Sequence, residues 1–108
     1  MKALEVYQNN ILAGVLVEHV PGRDYQFTYE ESYVKLHPLQ PISVTLPVSP
    51  EPYISETLFS FFSNMLPEGD RRRFLCMNNH IDEHDMFSLL CLFAGEDIVG
   101  SVSLEMRL

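Results

Sequence analysis

Apolar and polar residues alternate along the first half of the chain and take up helical spacing in the second. Residues 3–7 (ALEVY) put Leu4 and Val6 on one side and Glu5 on the other, the period-two pattern of a half-buried strand. Asn9-Asn10 follows, a pair that tolerates positive φ and suits a tight turn. Ile11–Val17 (ILAGVLV) then reads as the returning strand of a hairpin, with Gly14 marking a bulge or a close approach. After the turn cluster Pro21-Gly22-Arg23-Asp24, residues 25–29 (YQFTY) set Tyr25, Phe27 and Tyr29 on one face of a third strand. Glu30–Lys35 fits either a short helical turn or a loop. Ile42, Val44 and Leu46 alternate with Ser43 and Thr45 and predict a fourth strand, bounded by Pro41 and Pro47. The proline-rich 47–52 segment connects this half to the next.

Helical spacing begins after Ser55, a candidate cap with Glu56 behind it. Leu58, Phe61, Phe62 and Met65 fall at i, i+3, i+4 and i+7, so a helix over these residues is expected to end near Leu66, where Pro67 disfavours helical geometry. Pro67 also suits the start of a second helix, with Glu68 and Asp70 in its first turn, an apolar side of Phe74, Leu75 and Met77, and Asn78-Asn79 at its end. Asp82 is the expected cap of a third helix carrying Met86, Leu89, Leu90 and Phe93, with Gly95 at its C-cap and Glu96-Asp97 as a turn. Ile98–Leu104 reads as a final strand. The expected fold class is α+β: a small antiparallel sheet, covered on one face by about three helices, in a single domain over residues 1–108.

Composition narrows the function. A formal net charge of −8 argues against direct nucleic-acid binding through a large basic surface, and fits a basic protein partner or plain solubility. Two cysteines, Cys76 and Cys91, sit in apolar helical patterns and read as packing thiols, not a disulfide framework. No apolar run approaches the length of a membrane span, and the expected setting is cytoplasmic. His80 and His84 are four apart, with no third ligand evident beyond Asp82, Glu83 and Asp85, which also serve as solvated helix-start acids. With no nucleophile elbow and no phosphate loop in the sequence, the expectation is no catalytic residue, no metal and no cofactor. Three of the seven basic residues stand together at Arg71, Arg72 and Arg73. They fit a solvated helix face, a partner-docking patch or an anion site, and arginine's frequency at interface hot spots gives weight to docking.

The stretch FFSNMLPEGDRRR, with Phe61, Phe62, Asn64, Met65, Leu66, Pro67, Glu68, Gly69 and Arg72, resembles a conserved-pattern segment in the N-terminal subdomain of HipA-type toxin kinases. VYQNNILAGVL (Val6–Leu16) resembles that family's opening hairpin, PISVTLP (Pro41–Pro47) one of its strands, and DMFSLLCLFAGEDIVGSVSL (Asp85–Leu104) the end of its subdomain. The likeness does not extend to the kinase's ATP loop, catalytic Asp or metal-binding Asp. It therefore implies the small-subunit role of HipS-type proteins in tripartite toxin–antitoxin systems. There, a separate subdomain binds and neutralises a HipT-like Ser/Thr kinase, with a HipB-like helix-turn-helix protein in the complex. An activating or structural subunit of the same assembly is the alternative. The resemblance places kinase contact on Pro67, Glu68, Gly69, Asp70, Arg71, Arg72 and Arg73, with Met65, Phe74 or an arginine as the side chain that would enter the kinase cleft.

Overall fold

The computed structural model describes residues 2–94, 97–99 and 101–107, with residues 97–99 described as backbone. The elements among these are β1 (Lys2–Gln8), β2 (Ile11–Val20), β3 (Arg23–Tyr29), α1 (Glu31–Leu36), β4 (Tyr53–Ser55), α2 (Ser60–Ser63), α3 (Gly69–Asn79), α4 (Met86–Cys91), β5 (Asp97–Val99) and β6 (Val102–Met106). The strands form one antiparallel sheet in the order β4-β3-β2-β1-β6-β5. The α+β class, an antiparallel sheet with helical cover, is as the sequence predicts.

The opening meander follows from local chemistry. Asn9 and Asn10 take φ of 52° and 65°, which Asn tolerates better than most residues, and turn β1 into β2. The register slips between Val6 and Tyr7, opposite Gly14 and Leu12, so Ala13 is the extra residue of a bulge. Gly14 serves close approach as well: a Cβ there would lie 2.4 Å from the Thr28 carbonyl oxygen and 2.8 Å from Phe27 Cζ. Tyr25, Phe27 and Tyr29 are all buried on one face of β3. The Phe27 ring lies 5.9 Å from Phe62 of α2, and Tyr25 lies 6.3 Å from Phe87 of α4, so these two helices roof the aromatic strand. Leu4, Val6, Leu16, Leu89, Leu90 and Leu104 complete a fully buried centre.

Five expectations need correction. The segment Ile42–Leu46 is not a strand of the sheet. It closes a turn, with Leu46 N–H donating to the Ser43 carbonyl at 3.0 Å. Ile42 and Leu46 are buried while Val44 is 90% exposed, so the apparent period of two is two anchors with an outward tip between them. Pro41 and Pro47 lack the N–H a ladder needs, and the Tyr29 hydroxyl takes the ladder's place. That hydroxyl accepts from Ile42 N–H at 3.1 Å and donates to the Leu46 carbonyl. The fourth strand is instead Tyr53–Ser55, paired with β3 through Phe27↔Tyr53.

Ser55 ends that strand, its Oγ accepting from Thr57 N–H at 3.2 Å, and caps no helix. The helix expected from Leu58 is a single turn, Ser60–Ser63, capped by the extended residue Phe59. Tighter i→i−3 bonds at Met65 and Leu66 continue it to Pro67. Asp82 accepts from His84 N–H at 2.8 Å in the preceding turn, while Asp85 caps α4 by accepting from Ser88 N–H at 3.1 Å. The last expected strand is two, β5 and β6, which pair with each other. The expected cap at Gly95 and the start of the turn after it lie outside the described residues.

Candidate functional site

The segment from Met65 to Phe74 forms the junction of α2 and α3. Pro67 leads into Glu68, whose extended backbone (φ −123°, ψ 167°) opens α3, and Gly69 takes φ +61°, a conformation that favours glycine. Asp70 lies in the first turn, where its charge complements the helix dipole. Met65 and Pro67 are half-buried, whereas Glu68, Gly69 and Asp70 are exposed.

The three arginines do three different things. Arg72 is half-buried and its Nε donates to the Pro67 carbonyl at 2.8 Å, tying the loop to the helix it precedes. Arg73 pairs with Asp70 at 3.1 Å and Glu83 at 3.5 Å, joining the start of α3 to the turn before α4. Arg71 is exposed and, among the described residues, makes neither an ion pair nor a side-chain hydrogen bond. The run reads as one patch in the sequence, but only Arg71 is left to meet something outside the chain.

α3 buries little of itself. Cys76 is its buried residue, with Arg72 and Leu75 half-buried. The expected apolar side of Phe74, Leu75 and Met77 is therefore overturned at two positions: Phe74 is 65% and Met77 72% exposed. Spacing explains this, because residues 72, 75 and 76 share the inward side, while 71, 74 and 77 follow one another up the outer side at intervals of three. Met77 belongs with the site by geometry, and its position three residues after Phe74 was the signal in the sequence.

Catalytic and metal chemistry find no assembly among the described residues. His80 takes φ +56° at the end of α3 and His84 sits in the turn before α4, so the two never share a helix face. No group of three or more His, Cys, Asp or Glu among the described residues is arranged to hold a metal. Cys76 is a buried packing thiol, and burial pushes the thiol of half-buried Cys91 up, away from the reactive thiolate. Glu18, a buried carboxylate the sequence reading passed over, accepts from Gly22 N–H at 3.1 Å and the Tyr25 hydroxyl at 3.0 Å, bracing the β2–β3 turn. On the opposite side of the sheet, Val15, Val17 and Val34 floor a groove of about 730 Å³. Three of the charged groups around it are already matched, Lys35 with Glu31 at 3.2 Å and Arg107 with Glu5 at 3.6 Å. No helix of the described residues is long and apolar enough to cross a membrane.

These features define an α+β domain in which helices pack on a meander sheet and one helix leaves its outer ridge bare. The chain belongs to the HipA N-terminal domain family, whose profile matches residues 4–105. A solved structure described as the N-terminal domain of HipA toxin superimposes with a TM-score of 0.73 at 26% identity, covering 100% of this chain and 94% of that one. An uncharacterized protein of Haemophilus influenzae is 34% identical over 83 residues, which is 77% of this chain and 74% of that protein. The kinship is thus with a domain of a toxin–antitoxin protein.

Proposed function

We propose that this chain is a HipS-like, antitoxin-type binding subunit that docks on a HipT-like Ser/Thr kinase and neutralises it, with no catalysis of its own. The observation that carries the reading is the outer ridge of α3. Phe74 and Met77 lie mostly in water one turn apart, beside an arginine with no partner among the described residues. Large exposed apolar side chains grouped with arginine are the composition of interface anchors. The family relationship supplies the kind of partner, a HipA-type kinase on which this domain would dock.

In this arrangement Arg72 and Pro67 keep the loop rigid, so little conformational entropy is lost on docking. Arg71, Phe74 and Met77 make the contact, and Glu68, Gly69 and Asp70, at the start of α3, face the kinase cleft. Phe74 is the side chain best placed to enter that cleft, being exposed where Met65 is half-buried. Autophosphorylation of the purified kinase, measured with and without this protein, tests the proposal. Lower activity on addition is expected; unchanged activity would sink the reading, and increased activity would favour a structural or activating subunit assembled with a HipB-like protein.

A further inference from the structure

A hollow of about 250 Å³ lies between α2 and the Ile42–Leu46 turn, lined by Ser43, Thr45, Ser60, Phe61, Asn64 and Met65. Half-buried Phe61 and Met65 give it an apolar part, and three hydroxyls and an amide surround them. None of its lining residues is charged, in a chain where 20% of residues are. Its volume falls below the roughly 300 Å³ at which small-molecule sites begin, which suits a single large side chain.

The outer wall is held stiffly. The Tyr29 hydroxyl bonds both ends of the turn, Ile42 and Leu46 are buried, and within the turn Ser43 Oγ lies 2.8 Å from Thr45 Oγ1. The tip of this stiff turn is Val44, an apolar side chain 90% exposed. The inner wall is the single helical turn that runs through Met65 directly into Pro67 and the docking segment. Knob and hollow therefore sit on one preformed surface continuous with that segment.

We propose that this hollow is a socket for one uncharged aromatic side chain of the kinase, with Val44 packing beside it. The proposal rests on the kinase-docking reading and adds a second contact to it. Charge decides the occupant: an ionic group seated here would meet no counter-charge among the lining residues, whereas an uncharged ring gives up no ionic solvation. A ring meets Phe61 edge or face and the Met65 sulfur, both favourable partners for aromatic carbon. Any polar tip is met by the Ser43, Ser60 and Asn64 side chains.

Two variants close the socket from opposite walls. Thr45→Glu sets a carboxylate at the outer wall, and Ser60→Trp fills the space from α2; both positions are exposed. Calorimetric titration against the purified kinase is expected to show at least tenfold weaker binding for each, with melting temperatures near the parent's. If one variant fails to fold, the other decides. Phe74→Ala is run alongside as the control for the ridge of α3. Parent-like affinity of the folded socket variants, with Phe74→Ala weakened, overturns the socket and leaves docking intact. A parent protein that does not bind the kinase at all overturns both.

Discussion

Phe62 has no exposed surface and lies against both Phe27 and Phe61, at ring separations of 5.9 and 5.2 Å. Truncating it removes the contact between the short helix and the sheet, so Phe62→Ala is expected to cost about 3–5 kcal/mol in urea unfolding. A loss under about 1 kcal/mol would place the ring outside the core. The arginines separate equally sharply. Arg72→Ala releases the Pro67 carbonyl and is expected to destabilise by about 1 kcal/mol, the usual net worth of a hydrogen bond. Arg71→Glu combined with Phe74→Ala touches solvated groups and should leave stability within about 0.5 kcal/mol while weakening kinase binding. Equal affinity of this double variant and the parent, by the same titration, would return the ridge to plain solvent exposure.

At the scale of elements, the reach of sequence reasoning tracks how local each determinant is. The first hairpin and the aromatic strand were legible because Asn9-Asn10 and the Tyr25, Phe27, Tyr29 alternation carry their own turn and period. Ile42–Leu46 reads as a strand because its apolar residues also alternate. What overrides the alternation is a hydroxyl thirteen residues earlier, on Tyr29, invisible to a local pattern. α3 was placed correctly in outline, but its inward side was not, because Phe74 and Met77 look like core by composition. The candidate segment was legible as unusual, and the division of labour among its arginines was not, since the partners are Pro67, Asp70 and Glu83 in three different places. Gly14, a close approach legible in the sequence, can be tested as an element: Gly14→Ala forces β2 and β3 apart and is expected to cost about 1–3 kcal/mol. Unchanged stability would mean that the Thr28 carbonyl and the Phe27 ring yield freely.

At the scale of the whole molecule, the tyrosines tie stability to alkaline pH. Burial, with the Glu18 hydrogen bond behind it, pushes Tyr25 up to about 12 from 10.0, and burial pushes Tyr29 to about 12 as well. Below pH 10 both phenols keep their protons folded or unfolded, and their full contribution is present. Between about 10 and 12 the unfolded chain ionises while the folded one does not, so the unfolded state binds fewer protons and stability falls as pH rises. Urea midpoints should drop from pH 9 to pH 11.5, with phenolate absorbance lagging that of the urea-unfolded chain. Native tyrosines that all titrate near 10.0 would overturn this account of the buried phenols.

The sheet order has a consequence for synthesis. β1 lies between β2, which follows it almost at once, and β6, which ends at Met106. A ribosome releases the three-strand meander early, yet one edge of β1 stays bare until β6 has been made. Closing that edge means bridging some ninety residues, and loop entropy makes such pairings slow. During that interval the nascent chain offers an open strand to any other chain nearby, and the six-stranded sheet is completed only once β6 has been made.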